Sequence, residues 1–129
     1  MALLNWSPDY SVEEDSLDRQ HQELFRMLND LHDAMKEGTG AQVAPGILKN
    51  LVQYVLEHFA CEEALMAQAG YPELTRHKAE HDKLTEELAQ IMQDFESGKV
   101  ALSMKLLQFL RTWLQDHILG CDKKYAPYL

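Results

Sequence analysis

Five of the chain's six histidines fall where a helix would bury a leucine. His21 interrupts the stripe Leu17, Leu24, Leu28, Leu31, Met35. His58 and Glu62 sit among Leu48, Leu51, Val52, Val55, Phe59 and Leu65. His77 and His81 sit among Leu74, Leu84, Leu88, Ile91 and Phe95, and His117 ends the run Leu102, Leu106, Phe109, Trp113. Each stripe has helical spacing. Imidazole and carboxylate are costly in an apolar interior without partners. A metal centre would satisfy all of them at once.

The spacing sharpens this reading. His58 and Glu62 form HxxxE, and His77 and His81 form HxxxH, so each pair lies on one helical face. Without HExxH the second pair does not read as a zinc protease. His117 and Asp122 are five residues apart, about 140° around an ideal helix. The segment between them must bend or unwind to turn Asp122 inward, and Gly120 is the expected place. Glu63 is rotated about 100° from Glu62 and is expected to be solvated.

Seven donors exceed one octahedron, which implies two metals. If both are six-coordinate and both carboxylates bridge, five histidines and four carboxylate contacts leave three of twelve positions. An oxygen bridge uses two more. One position stays open, on one metal only, as a small-ligand site requires. Imidazole with carboxylate suits iron and similar divalent metals. Structural zinc prefers four closed ligands, often with thiolate. Ferritin-like di-iron proteins use Glu-x-x-His, which is absent here. Histidine replaces most of the carboxylates, and that disfavours hard oxidation chemistry.

The elements that must position these residues are an N-terminal arm, residues 1–15, and four helices, roughly 16–37, 44–69, 72–97 and 100–121. Trp6 and Tyr10 in the arm are expected to pack on the bundle. Asp15 or Ser16 can cap the first helix. Pro45 and Pro72 suit first turns. Short links between long helices predict an all-α, up-down-up-down four-helix bundle in a single domain, 1–129. In that topology the starts of the first and third helices meet the ends of the second and fourth. All seven donors then share one depth. His32 is the internal control. It lies about 16 Å further along the axis than His21, so it should be hydrogen-bonded or partly exposed rather than a ligand.

Composition limits the alternatives. The chain has 129 residues and a formal net charge of −9, which argues against nucleic acid and anionic membranes as partners. No apolar run approaches a membrane span, and no signal peptide is expected. Cys61 and Cys121 fit neither a disulfide framework nor CxxC. Both are expected to be buried, inert thiols, with metal ligation as the alternative. A reducing, cytoplasmic setting fits.

At Asp18-Arg19-Gln20-His21, His58-Phe59-Ala60-Cys61-Glu62, His77-Lys78-Ala79-Glu80-His81 and His117 to Tyr125, the chain resembles the bacterial hemerythrins. With Trp6 included, the resemblance covers essentially the whole chain. It implies reversible dioxygen binding at a non-haem di-iron centre with an oxo or hydroxo bridge. His77, His81 and His117 would hold one iron, His21 and His58 the other, and Glu62 and Asp122 would bridge them. Dioxygen would occupy the open position beside His21 and His58. Phe59, Leu84, Trp113, Leu114 and Ile118 are candidates for an apolar wall, with ordinary core packing as the competing account. Leu114 is the first choice as a gate. Tyr125 either hydrogen-bonds near the site or packs the C-terminus. The expected role is a non-enzymatic carrier or store, monomeric, with dioxygen as its partner. An oxygen or redox sensor acting through a partner, or a peroxidase or nitric-oxide-handling enzyme, is the alternative.

Overall fold

The computed structural model describes residues 4–38, 40–98 and 104–129, with side chains described outside 40–43 and 104–106. Helix α1 spans Asp15–Lys36, α2 Gly40–Ala69, α3 Leu74–Glu96 and α4 Met104–His117. There is no strand among the described residues. α1 packs on α2 and α4, and α2 packs on α3. The chain is an all-α, up-down-up-down four-helix bundle.

α1 begins one residue earlier than the sequence suggests. Its cap is Glu14, whose carboxylate accepts from the Leu17 N–H at 2.9 Å. Glu13 takes the left-handed region (φ 62), which reverses the chain and leaves Glu14 extended in the capping position. The Ser16 hydroxyl, one of the expected caps, donates to Glu14 instead. The arm is tied to α1. Trp6 and Tyr10 meet Phe25 edge-on at 5.6 and 4.9 Å. Asp18 accepts from the Ser11 hydroxyl at 2.6 Å and from the Val12 N–H at 2.9 Å.

α2 starts at Gly40, so the exposed Pro45 stands in its second turn rather than its first. It ends in a Schellman motif. Gly70 (φ 70) donates to the Ala67 carbonyl at 3.2 Å, and Tyr71 donates to the Met66 carbonyl at 3.0 Å. The motif buries Tyr71 against Met66. Pro72 therefore lies in the turn before α3, which opens at Leu74.

The expected start of the fourth helix at residue 100, and Leu102, lie outside the described residues, as does the Leu106 side chain. The inward stripe of α4 also differs from the one expected. It runs Leu107, Leu110, Leu114, His117, while Phe109 is 45% exposed and Trp113 only half-buried. Both registers have helical spacing, and packing against α1 selects the leucine-rich one.

Two apolar clusters result. The larger includes Leu24, Leu28, Phe59, Leu84, Leu88, Leu114 and Ile118. The smaller comprises Val12, Leu17, Met66, Tyr71 and Tyr125. Each helix crosses from one to the other through its polar residues. His21 lies between Leu17 and Leu24, Glu62 between Phe59 and Met66, and Asp122 between Ile118 and Tyr125. The histidines and carboxylates thus form one layer, sealed on both sides by hydrocarbon.

Candidate metal centre

All seven polar core residues are no more than 5% exposed. α1 supplies His21, α2 supplies His58 and Glu62, α3 supplies His77 and His81, and α4 supplies His117. Asp122 comes from a π-helical turn, Ile118–Asp122, in which the Lys123 N–H reaches back to the Ile118 carbonyl. The extra residue in that turn cancels the rotation that an ideal helix would impose, so Asp122 points to the same side as His117. Gly120 lies inside the turn.

The imidazole Nε2 atoms converge on the two carboxylates. His21 lies 3.1 Å from Asp122 Oδ2 and 3.7 Å from Glu62 Oε2. His77 and His117 each lie 3.1 Å from Asp122 Oδ1. His58 and His81 lie 3.3 and 3.2 Å from Glu62 Oε1. Yet none of the five Nε2 atoms, nor Glu62 Oε1, nor either Asp122 oxygen, has a hydrogen-bond partner. A buried polar atom left so costs about 1–3 kcal/mol. The carboxylate oxygens, and the Nε2 atoms once their imidazoles are neutral, carry lone pairs toward common points, and a cation is the partner that needs no hydrogen from them. They fall into two groups, each with its donor atoms within 4.8 Å of one another. One holds His77, His81 and His117 and the other His21 and His58, and Glu62 and Asp122 belong to both.

The electrostatics point the same way. Burial opposes charge on His21, but Asp122 and Glu62 outweigh it and raise its pKa to about 9. Burial likewise opposes charge on His117, and Asp122 raises it to about 10. At His58 burial wins and lowers the pKa to about 4. Burial and Asp122 push Glu62 upward, but His58, His21 and His81 prevail and hold it down to about 2. Asp122, against its burial, is held well below the usual carboxylate range by His117, His21 and His77. The carboxylates keep their charge in a dry layer only by drawing positive charge onto their neighbours.

A second ring of contacts aims the donors. The His58 Nδ1–H donates to Gln20 Oε1 at 2.6 Å, and the His81 Nδ1–H donates to Glu63 Oε2 at 2.8 Å. Each bond places the proton on Nδ1 and turns the Nε2 lone pair inward. The expectation that Glu63 is solvated is corrected. Its side chain is 27% exposed and engaged with His81. Gln20 was not singled out by sequence reasoning. Each is the chain neighbour of an inward residue and, turned about 100° from it, faces a histidine of the adjacent helix. The Tyr125 hydroxyl donates to Glu62 Oε2 at 2.5 Å, which selects the contact with the site over simple packing. Phe59 stacks on His81 at 3.8 Å.

Cys61 and Cys121 are free and half-buried rather than fully buried, and belong to neither donor group. Cys61 packs at the edge of the smaller apolar cluster, and the Cys121 thiol lies beside the His117 side chain. His32 lies outside both groups, with its side chain 12% exposed and 4.0 Å from the Asp33 carboxylate. Phe59, Leu84, Leu114 and Ile118 are buried in the larger cluster. Trp113 lines a surface cavity of about 290 Å³ between α3 and α4 with Phe109 and His117.

A helical bundle closed around a histidine-rich layer with two shared carboxylates defines a class, the cation-binding helical bundles. The chain belongs to the hemerythrin family: the model of the hemerythrin HHE cation binding domain matches residues 13–129. It is 36% identical to the bacteriohemerythrin of Methylococcus capsulatus (strain ATCC 33009 / NCIMB 11132 / Bath), over 100% of this chain and 98% of that one. It is 38% identical to the bacteriohemerythrin of Stenotrophomonas maltophilia (strain R551-3), over 98% and 81%. Among solved structures, a wild-type hemerythrin superposes with a TM-score of 0.90 at 36% identity, covering 99% of this chain and 98% of that one. A hemerythrin L114A mutant superposes at 0.91 and 35% identity, covering 100% and 98%.

Proposed function

We propose that this protein binds dioxygen reversibly at a non-haem di-iron centre, as a carrier or store and not as an enzyme. The observation that carries the reading is the division of the donor atoms into two groups that share Glu62 and Asp122. His77, His81 and His117 hold one iron, His21 and His58 the other, and the two carboxylates bridge them. Five histidines and two bridging carboxylates leave one position open, on the side of His21 and His58. Two iron ions, cycling between Fe2+ and Fe3+ with an oxo or hydroxo bridge, supply the electrons and the open position that dioxygen requires.

The chain's own residues do the rest. Gln20 and Glu63 hold His58 and His81 in the ligating tautomer. Tyr125 steadies the Glu62 oxygen that faces it. Phe59, Leu114 and Ile118, each no more than 5% exposed, keep water from the layer. Residues 1–129 act as one domain and as a monomer. Two free thiols fit a reducing cytoplasm, and no helix among the described residues is long and apolar enough to cross a membrane.

The test is to load the protein with ferrous iron without air, measure metal per chain, and record the visible spectrum before air, after air and after deoxygenation. Two irons and a reversible new band are expected. One metal per chain, a preference for zinc, or a band that does not reverse refutes the reading. Catalytic turnover of peroxide or nitric oxide would make the protein an enzyme instead.

A further inference from the structure

The donor layer has hydrocarbon above and below it, and taking a divalent ion out of water into hydrocarbon is prohibitively costly. Metal must therefore reach the layer from the side. Of the seven donors, His77 and His117 are the most exposed, at 5% each, and each lines a surface cavity. One cavity, of about 460 Å³, lies over His77 and reaches Arg76 and Lys124. The other, of about 290 Å³, lies between α3 and α4 and reaches His117. The charges on their walls separate the two. In the first, Glu73 and Glu80 stand against two cations, and Glu73 is already 3.5 Å from Arg76. In the second, Glu80, Glu87 and Asp116 stand against Lys83. Glu80 is half-buried, and its carboxylate has no ion pair or hydrogen bond among the described residues. The His117 side chain, 3% exposed, has neither ring nitrogen hydrogen-bonded. A solvated acidic face would account for the carboxylates alone. It does not account for a half-buried, unpaired carboxylate in the same cavity as an unpartnered, buried imidazole of the donor layer.

We propose that the α3–α4 cavity is the entrance through which both ferrous ions reach the layer, with Glu80 receiving them at the mouth and His117 taking them in. The inference rests on the di-iron reading above. A cleft with carboxylates in excess and apolar walls focuses its field and raises the local concentration of cations. Glu80 offers oxygen in place of part of the hydration shell, which lowers the cost of leaving water. His117 Nε2 lies 3.1 Å from Asp122 Oδ1, so His117 delivers an ion directly to a shared carboxylate. His21 and His58 line neither cavity, so an ion reaches them only across Glu62 and Asp122. Glu80 belongs to neither donor group. It therefore governs passage and not holding. A residue on the route changes one barrier, which is crossed in both directions. Its loss slows entry and exit together and leaves the equilibrium occupancy as it was, whereas loss of a ligand speeds exit.

The experiment measures release of iron from the loaded protein into excess chelator, and uptake of ferrous iron by metal-stripped protein, both without air. Iron per chain at equilibrium and helicity by circular dichroism are measured on the same samples. Glu80→Gln should slow release and uptake at least threefold each, for both ions, with two irons per chain at equilibrium. It should also weaken the slowing of uptake by salt, because one of the steering charges is gone. Thr112→Trp sets a ring at the exposed rim of the same cavity and should slow both directions at least threefold with the salt dependence kept. Glu73→Gln makes the same change in charge but lines only the other cavity, and should match the wild type. The entrance is overturned if either folded Glu80→Gln or folded Thr112→Trp exchanges iron at the wild-type rate, or if Glu73→Gln slows exchange as much as Glu80→Gln. It is equally overturned if Glu80→Gln affects one ion only or speeds release. Two irons exchanged at unchanged rates in the variants remove the entrance and leave the di-iron reading intact. Failure of the wild type to bind two irons removes both.

Discussion

Replacing Glu63 by alanine removes the acceptor that holds the His81 Nδ1–H at 2.8 Å. His81 is 2% exposed, so its ring N–H gains no water in exchange and is left unpaired. Losing such an outer partner typically weakens metal binding about 10–100-fold, which is about 1.4–2.8 kcal/mol. The stack of Phe59 on His81 at 3.8 Å keeps the ring plane in place, so the lower half of that range is expected. Glu63→Gln retains an oxygen acceptor and should lose less than Glu63→Ala. Glu62→Ala should be far harsher than either, because it removes one of the two carboxylates common to both donor groups. The assay is iron retention against a graded chelator, with helicity followed by circular dichroism so that unfolding is not mistaken for weak binding. If folded Glu63→Ala holds iron as tightly as the wild type, the Glu63 contact does not aim His81. If Glu62→Ala and Glu63→Ala lose iron equally, Glu62 does not serve both metals.

Three further outcomes are expected. Leu114→Ala should speed decay of the oxygenated absorption band and cost about 2–5 kcal/mol in denaturant unfolding, because a side chain 2% exposed is removed from the main cluster; unchanged decay in folded, iron-loaded protein would leave Leu114 as plain core. His32→Ala should leave iron content and oxygen binding unchanged, since His32 belongs to neither donor group; a loss as large as that of His77→Ala would contradict the single polar layer. Iron uptake by metal-stripped protein should release about two or more protons per chain near neutral pH. His21, raised to about 9, and His117, raised to about 10, carry protons there and must shed them to ligate. Affinity should therefore rise with pH and level off above about 10, and a pH-stat trace showing no proton release would refute those assignments.

The sequence by itself determined the stripes of α1, α2 and α3, the bundle and the depth of the polar layer. Helical periodicity and short links are local properties, and together they bring the start of α1 and α3 to the ends of α2 and α4. Even the distortion between His117 and Asp122 was legible, because five residues cannot share a helical face without one. The tertiary structure decided what depends on the rotation of each helix about its own axis. Periodicity left α4 free to present Phe109 or Leu110, and packing chose Leu110. That same rotation sets Gln20 against His58, Glu63 against His81 and Tyr125 against Glu62. These partners are 38, 18 and 63 residues apart in the chain, and their hydrogen bonds form only when separate helices meet at a particular angle. The sharing of Glu62 and Asp122 between two donor groups is of the same kind, since it is a property of the gap between the helices and of no single helix.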